Sequence, residues 1–391
     1  MTQPRPERKL DGLSRIKLVL CVTAVEYGGV DSVVFALASR LDPRRFDVTV
    51  FSLGPDFGPG DRLRAVGVSV VTGSSSGASV AGLERLRRFL LRTRTTVVHC
   101  HPGSLSRLAA HLARVPIIVA TYHGSFRPPS PRYPERVLRR FLDKRASALV
   151  ANSRFTRDHI AAALGEPVGQ IAVIYNGIDV ERFRPPEPGA REATRQSMGF
   201  GSEHIIVASV ARLYSDKGTA DMLEGLSRAH SRGVRAGALI VGDGPERPSL
   251  ERRARELHLE GFVRFLGARS DIPEVLAAAD LFVSTSRTRE AFGIAIVEAM
   301  GLGLPVIATS VEGVPETVDE GRSGFLIPPH DPAAVGDAIA DLARRPDQRL
   351  EFGQQGRRIA VERFDVRRMV AEYEALYTRL LDRAFAERRR G

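Results

Sequence analysis

Short apolar runs rich in β-branched residues alternate with stretches of helical periodicity along most of the chain. In the first half these runs predict strands at 16–23, 46–53, 68–72, 95–100, 116–123, 148–153 and 171–177. In the second half they predict strands at 204–213, 236–244, 262–267, 279–286, 305–310 and 324–329. Because strands that alternate with helices form βαβ units, the pattern predicts an α/β protein with parallel sheets.

Helical periodicity fills many of the gaps between these strands. The predicted helices are Asp31–Leu41, Leu83–Arg92, Pro134–Arg145, Arg154–Ala163, Gly218–Ser231, Pro248–Leu257, Ile272–Ala278, Gly293–Gly301 and Ala333–Ala343. A further amphipathic stretch at about 366–383 has no strand after it. Each half of the chain is therefore predicted to be a doubly wound, Rossmann-like domain.

The two halves meet at the proline-rich segment Arg182–Gln196, whose prolines cannot continue a sheet or a helix interior. We interpret it as a linker between an N-terminal domain at 1–185 and a C-terminal domain at 186–391. Doubly wound sheets bind ligands at the carboxyl ends of their strands, so two such domains facing each other would form a cleft. The last helix is expected to pack back on the N-terminal domain.

The composition is that of a globular protein with material for two cores, since 43% of the 391 residues are hydrophobic. No run approaches the roughly 20 apolar residues of a membrane-spanning helix, and the N-terminal apolar stretch is too short for a signal peptide. Cys21 and Cys100 fall inside predicted strands, and we interpret them as buried hydrophobes in a reducing compartment. These features predict a cytoplasmic location.

The net charge of +11 belongs to the first half of the chain. Residues 1–190 contain 28 Lys and Arg against 16 Asp and Glu, whereas residues 191–391 contain 29 against 30. The arginines are not interleaved with aromatic residues, and no nucleic-acid-binding motif is present, which argues against a nucleic-acid partner. Two interpretations stay open: a solvated arginine-rich surface, and attraction to an anionic membrane or an acidic acceptor.

A basic pair follows the first predicted strand of the second half. Arg212 and Lys217 precede Gly218, where a helix is predicted to open, and Lys217 is the only lysine after residue 190. Two cations beside a helix N-terminus favour a diphosphate site, because exposed N–H groups and positive charge converge there. The alternative is an ordinary pair of surface cations.

Two glutamates eight positions apart, Glu290 and Glu298, flank an apolar run. Glu290 lies in a loop, and Phe292, Gly293 and Ile294 begin the predicted helix that carries Glu298. Backbone amides at such a helix N-terminus can bind phosphate oxygens. A carboxylate on so apolar a helix is costly without a partner, so we expect Glu298 to meet a hydroxyl or a cation.

These residues resemble the retaining glycosyltransferases of GT-B fold, glycosyltransferase family four. The resemblance covers about Ile16 to Leu381 and rests on motifs that are specific in this order and spacing. They are the pair Glu290 and Glu298, the pair Arg212 and Lys217, the turn "VGDGP", "FVRFLG", and in the first half "EYGGV", "TYHG" and "YNGID". The family's fold is two Rossmann-like domains that face each other across a cleft.

The resemblance assigns a role to each matching position. It implies that Glu298 binds the ribose, that Arg212 and Lys217 bind the donor diphosphate, and that Glu290 is a catalytic residue at the donor sugar. The amides of Phe292, Gly293 and Ile294 would hold the sugar and phosphate, and Gly242 and Arg269 the base. In the first half it implies that Gly28 and Gly29 approach the diphosphate and that His123 is a second catalytic residue beside the sugar, although His123 is also explained as an ordinary strand-end histidine.

His99 and His101 lie two positions apart at a strand end, a spacing that also occurs in metal sites. No Cys, Asp or Glu cluster accompanies them, so we interpret His101 as a contact on the acceptor side. The chain contains no Asp-x-Asp sequence. We therefore expect no metal and no cofactor, with the cations and the helix N-terminus stabilising the leaving diphosphate.

The predicted function is a retaining transfer of a hexose from a nucleotide diphosphate sugar to a glycan, a lipid-linked acceptor or a small molecule. A sugar-nucleotide epimerase or hydrolase of the same fold, and a nucleotide-sugar-binding module without catalysis, stay open as alternatives. The base of the donor, UDP, GDP or ADP, also stays open. An anionic membrane surface is a candidate partner, with attachment to the inner face of the membrane.

Overall fold

The structure is a computed structural model that describes residues 15–23, 29–56, 59–73, 79–101, 103–124, 133–187 and 189–388. It is an α/β protein with two sheets, and every predicted strand is present. The apolar runs predict the strands well because a parallel strand covered on both faces needs apolar side chains on both faces.

The first sheet has seven strands in the order β3-β2-β1-β4-β5-β6-β7. Its strands are β1 (Ile16–Val22), β2 (Phe46–Ser52), β3 (Ser69–Thr72), β4 (Val97–Cys100), β5 (Ile117–Tyr122), β6 (Ala148–Ala151) and β7 (Ile171–Val173). The second sheet has six strands in the order β10-β9-β8-β11-β12-β13. Its strands are β8 (Ile205–Val210), β9 (Ala236–Val241), β10 (Val263–Gly267), β11 (Leu281–Ser284), β12 (Val306–Thr309) and β13 (Gly324–Ile327).

In both sheets the first strand along the chain lies in the interior of the sheet. The next two strands lie on one side of it, and the later strands lie on the other side. In each of them the first strand of the sheet has the second strand on one side and the fourth on the other. The strand pairs around both switches, β1 with β2 and β4, and β8 with β9 and β11, are parallel. This is the doubly wound order that the alternating pattern predicted.

Helices connect the strands. They are α1 (Gly29–Arg40), α2 (Pro59–Ala65), α3 (Val80–Thr93), α4 (Ser104–Leu112), α5 (Tyr133–Lys144), α6 (Arg154–Leu164), α7 (Ala190–Ser197), α8 (Thr219–Ser231), α9 (Arg247–Glu256), α10 (Ile272–Ala277), α11 (Ile294–Gly301), α12 (Pro332–Arg344), α13 (Pro346–Arg363) and α14 (Val366–Arg388). The helices α2, α4, α7 and α13 were not predicted. The segment Arg182–Gln196, which we interpret as a linker, runs into α7, which begins at Ala190 once the prolines have passed.

The chain divides into two compact units. The first comprises the described residues of Met1–Thr121, Val137–Ala148 and Glu374–Gly391, and the second those of Tyr122–Arg136 and Leu149–Tyr373. One core of the first unit packs side chains of β1, β2 and β4 against α3 and α4. In the second unit one core lies between the sheet and α11, and another between the sheet and helices α8 and α12.

In the first unit the end of α14 is joined to the sheet by buried polar contacts. His99 on β4 hydrogen-bonds through Nδ1 to the Tyr377 hydroxyl at 2.6 Å and through Nε2 to the Thr121 hydroxyl at 2.7 Å. Cys21 and Cys100 are free, buried and opposite each other on neighbouring strands, as small apolar core residues would be.

Candidate active site

The candidate site lies in the second unit, where the chain switches sides between β8 and β11. These two strands are parallel neighbours, with Leu281 paired to Val207. The loop after β8 therefore leaves the same edge of the sheet as the loop after β11. Ligands of doubly wound sheets bind at such a switch point, because the two loops diverge there and leave a crevice.

Glu290 and Lys217 come from these two loops and form an ion pair. The Lys217 Nζ lies 2.8 Å from Glu290 Oε2, and it also donates to the Arg289 carbonyl oxygen at 3.1 Å. The Ser286 hydroxyl donates to Glu290 Oε2 at 3.2 Å, and the Gly293 amide donates to Oε1 at 3.1 Å. Glu290 is thus held by three donors, and the structure brings together two residues predicted to share a donor site.

The two loops approach each other closely at Gly218. A Cβ atom at this position would lie 2.0 Å from the Thr285 carbonyl oxygen, and the φ angle is +65°. Only glycine avoids this clash and also adopts the left-handed conformation without strain. Nearby, the Arg287 guanidinium binds both carboxylate oxygens of Asp221 at 2.6 and 2.9 Å. This bidentate pair fixes the second loop against α8.

Glu298 lies on α11, one turn after the helix begins, and its side chain is partly buried. Burial raises the pKa of its carboxyl to about 7, and the positive charge of Arg182 opposes the rise. Among the described residues no side chain or amide donates a hydrogen bond to this carboxyl. The cation of Arg182 acts on Glu298 through its charge, whereas a hydroxyl partner for this carboxyl stays a prediction. The group tolerates its position by retaining a proton near neutral pH.

The N-terminus of α11 presents backbone rather than side chains. Gly293 precedes the helix without a side-chain cap, and Ile294 is its first residue. The Phe292 side chain is buried against the rings of Tyr175 and Phe364, and the Gly293 amide donates to Glu290 Oε1. The role of these amides in binding oxygen atoms of a ligand stays a prediction.

His123 follows β5 and belongs to the second unit. Burial lowers the pKa of its imidazole to about 4, so the ring is neutral at physiological pH. A Cβ atom on the adjacent Gly124 would lie 3.8 Å from the Ala291 Cβ. Gly124, next to His123, therefore lies near Ala291, the residue that follows Glu290.

The remaining predicted donor residues lie at the same edge of the second sheet but are not brought into contact with Glu290. Arg212 is exposed, with its guanidinium 5.1 Å from the centre of the Tyr214 ring. The Gly242 amide donates to the Gly267 carbonyl oxygen at 2.8 Å at the end of β9. Arg269 is exposed and forms an ion pair with Asp271.

The predicted residues of the first half are less informative. Gly29 begins α1, and Gly28 lies outside the described residues. His101 is completely buried, and its ring centre is 4.2 Å from that of His99. A contact between His101 and an acceptor stays a prediction that requires this ring to become accessible.

The described residues contain no cluster of three or more His, Cys, Asp or Glu side chains that could hold a metal ion. None of the described helices is long and apolar enough to span a membrane.

Sequence reasoning missed a group of residues that supports the Glu290 loop. The Gly313 amide donates to the Glu290 carbonyl oxygen at 3.2 Å, and a Cβ on Gly313 would lie 1.9 Å from the Ala291 carbonyl oxygen. Three residues on, the Glu316 carboxylate accepts hydrogen bonds from the Tyr175 hydroxyl at 2.7 Å and from two backbone amides at the start of α6. Its position at the N-terminus of α6 gives this carboxylate both hydrogen bonds and a favourable helix dipole.

These features define a protein of the Rossmann-like, ligand-binding class. They are doubly wound sheets, a cation–carboxylate pair at the switch point and a helix N-terminus beside it. Comparisons with known proteins narrow this class. The profile of Glycosyl transferases group 1 matches residues 190–359, and that of Glycosyltransferase Family 4 matches residues 27–182.

Two relatives and one solved structure illustrate the similarity. The GDP-mannose-dependent alpha-(1-6)-phosphatidylinositol monomannoside mannosyltransferase of Mycobacterium tuberculosis is 30% identical over 369 residues, 88% of this chain and 93% of the relative. The N-acetyl-alpha-D-glucosaminyl L-malate synthase of Bacillus anthracis is 29% identical over 297 residues, 73% of this chain and 75% of the relative. The crystal structure of Anabaena HepE in complex with UDP and glucose has a TM-score of 0.82 at 24% identity and covers 93% of this chain and 100% of the other.

The chain belongs to the family four, group 1 glycosyltransferases and has the GT-B fold. The family and the fold that the motifs predicted are thereby confirmed.

Proposed function

We propose that the protein is a retaining hexosyltransferase that uses a nucleotide diphosphate sugar as its donor. The bond between the anomeric carbon and the phosphate oxygen breaks, and its electron pair leaves on the diphosphate. An acceptor hydroxyl oxygen forms the new bond on the same face of the sugar, and its proton is released. Negative charge therefore develops on the phosphate, and positive charge on the anomeric centre, in the transition state.

The environment of the Glu298 carboxyl is the observation that carries the proposal. Its carboxyl lies on an apolar helix, receives no hydrogen bond from the described residues and has its pKa raised to about 7. A group in this state gains free energy from any ligand that donates hydrogen bonds to it. The two hydroxyls of a ribose are such donors, and we assign them to Glu298.

Lys217 and Arg212 are the proposed partners of the diphosphate. Lys217 lies 2.8 Å from Glu290, and α11 begins four residues after Glu290. The cations and the amides of Phe292, Gly293 and Ile294 would together stabilise the leaving group without a metal ion. Glu290 and the neutral His123 would then act at the sugar, and Gly242 and Arg269 at the base.

The names of the relatives support a nucleotide-sugar donor but differ in the acceptor. One relative is named for GDP-mannose and a phosphatidylinositol mannoside, and another for the glucosaminylation of malate. HepE was crystallised with UDP and glucose. We therefore propose a glycan, a lipid-linked or a small-molecule acceptor, a cytoplasmic location and peripheral contact with an anionic membrane.

A panel of nucleotide sugars tests the proposal. The protein is incubated with each donor, with and without lipid and glycan acceptors, and released nucleoside diphosphate and transferred sugar are quantified. Transfer with retained anomeric configuration, undiminished by EDTA, is the expected result. Interconversion of the sugar would indicate an epimerase, diphosphate release without transfer to any acceptor a hydrolase, and binding without turnover a binding module.

A further inference from the structure

The helix α5 carries a row of exposed apolar side chains. Val137, Leu138 and Phe141 are 51%, 36% and 47% exposed. They are three of the twelve large apolar residues that are exposed in the described part of the chain, and they fall within five consecutive positions. Singly exposed apolar residues are normal, but a cluster of them indicates a surface that contacts something else.

The same face of α5 carries positive charge. At 3.6 residues per turn, the exposed residues of α5 from Val137 to Lys144 lie on one side of the helix. Arg145 directly follows the helix, and its guanidinium is 3.6 Å from the centre of the Phe141 ring. The exposed side therefore combines apolar side chains with cations.

The one described carboxylate of α5 is turned away from this face. Asp143 is 2% exposed and forms an ion pair with Arg107, which is 3% exposed. The Arg139 Nε lies 3.8 Å from the same carboxylate. Consequently no acidic side chain among the described residues of α5 reduces the positive charge of its outer side.

We propose that this face of α5 binds the surface of a membrane that contains anionic lipid. An interfacial helix buries apolar side chains at the boundary between headgroups and acyl chains while its cations attract the anionic headgroups. Val137, Leu138 and Phe141 supply the first contribution, and Arg140 and Arg145 supply the second. An acidic protein surface would pair with the cations but would leave the apolar row without a matching environment.

This inference assigns the membrane contact of the proposed function to α5. It rests on the proposed function in one respect only, namely that a lipid-linked acceptor would require the enzyme to reach a membrane. Vesicle binding is measured without donor or acceptor. Failure to bind vesicles would therefore leave the transferase proposal intact, and failure to transfer sugar would leave the membrane contact intact.

The test is co-sedimentation of the full chain with phosphatidylcholine vesicles, with and without phosphatidylglycerol, at increasing salt. The wild type should bind only the anionic vesicles and should be released as salt rises. The pair Arg140→Glu and Arg145→Glu should lower partitioning by roughly tenfold or more. The matched pair Arg252→Glu and Arg255→Glu, at exposed positions of α9, should stay within about twofold of the wild type.

The apolar row is tested separately. Phe141→Ser should weaken binding to anionic vesicles several-fold even at low salt, whereas Leu350→Ser, at a residue that is 62% exposed on α13, should not. Thermal unfolding checks that each variant is folded. The pair Arg140→Gln and Arg145→Gln should bind anionic vesicles less than the wild type but more than the pair Arg140→Glu and Arg145→Glu. Equal binding to neutral and anionic vesicles would overturn the proposal. So would equal losses in the α5 and α9 pairs, or a dimer that the α5 variants dissociate without any change in vesicle binding.

Discussion

Lys217 and Glu290 bind each other in the structure, with 2.8 Å between Nζ and Oε2. Their side chains are only 17% and 23% exposed, so the pair is partly shielded from solvent. Each charge neutralises the other while no donor is bound, which avoids leaving an unpaired charge in a partly buried site. A donor diphosphate that approaches Lys217 must share this cation with Glu290 or displace the carboxylate.

Replacing Lys217 by Ala is expected to weaken both nucleoside-diphosphate affinity and turnover, by about 2–4 kcal/mol for a charge-assisted contact in a shielded site. Part of the loss comes from Glu290, which would keep only its hydrogen bonds from Ser286 and Gly293. Calorimetric titration measures the affinity, and a double-mutant cycle with Glu290→Gln separates the two contributions. Arg252→Ala on α9 is the control. Unchanged affinity for every nucleoside diphosphate would contradict the assignment of Lys217.

Glu298 should make donor affinity depend on pH. Burial raises the pKa of its carboxyl to about 7, and hydrogen bonds from a ribose favour the ionised form. Donor binding should therefore release a proton at and below neutral pH, and affinity should rise as pH rises through about 7 and then level off. The Glu298→Gln variant should lose this dependence. Titrations at several pH values check the prediction, and profiles of the same shape for both proteins would contradict it.

His123 should make the free energy of unfolding depend on pH. Burial raises the pKa of the Glu298 carboxyl but lowers the pKa of the His123 imidazole. Its pKa falls from 6.5 to about 4 on burial, so between these values the unfolded chain binds a proton that the folded chain does not. Stability is therefore unaffected by this group above about 6.5 and decreases as pH falls towards about 4. Urea unfolding at several pH values should show a shallower decrease for His123→Gln than for the wild type. Parallel curves would mean that His123 is not buried as the structure describes.

Glu316 is expected to act as a positioning residue for Glu290. Its carboxylate joins Tyr175 and the start of α6 to the turn whose Gly313 amide supports the Glu290 carbonyl. Glu316→Ala should lower kcat by about tenfold while donor affinity stays within a few-fold, because the hydrogen bonds of this carboxylate hold protein groups behind the Glu290 loop. Glu316→Gln, whose single amide oxygen can still accept from the Tyr175 hydroxyl and the Arg154 amide, should restore part of kcat. A purely structural role would instead lower stability and activity equally in both variants.

The strands could be predicted from the sequence because buried parallel strands need continuous apolar runs. The missed helices lack a comparable signal. The helix α7 is polar and follows directly on a proline-rich stretch, and α13 carries Gly353 and Gly356 on its buried side, which interrupts the apolar periodicity. In α13 these glycines serve tertiary packing, since a Cβ on Gly353 would lie 2.0 Å from the Gly303 carbonyl oxygen. Local propensity cannot anticipate such a contact.

For the candidate site, too, the sequence could predict some features and not others. The family resemblance implied that Lys217 and Glu290 serve one ligand, but their ion pair depends on two loops that meet only in the folded protein. The support from Glu316 and Tyr175 joins residues 141 positions apart and has no sequence signature. For Glu298 the sequence indicated a carboxyl on an apolar helix that needs a cation or a hydroxyl, but it could not show that the cation is Arg182, which lies 116 positions earlier in the chain.

The two glutamates of the motif should perform different tasks, and their surroundings differ accordingly. Glu290 is held by three donors, one of which is the cation of Lys217, whereas Glu298 has none among the described residues. A ribose contact is much the same in the ground and transition states, so Glu298→Ala should mainly raise the donor KM. The charge of Glu290 matters more as the anomeric centre becomes positive. Glu290→Gln should therefore lower kcat by about 100-fold and leave donor affinity within a few-fold.

Steady-state kinetics and donor titration of both variants check this contrast. Glu290→Gln keeps the shape of the side chain and an oxygen that can accept from the Gly293 amide, so a large change in donor affinity would indicate that the loop itself has moved. Glu298→Gln serves as the matched isosteric control for the second position. If both glutamate variants lose kcat alone, or both lose only affinity, the two residues do not divide the sugar and the ribose between them, even in an active glycosyltransferase.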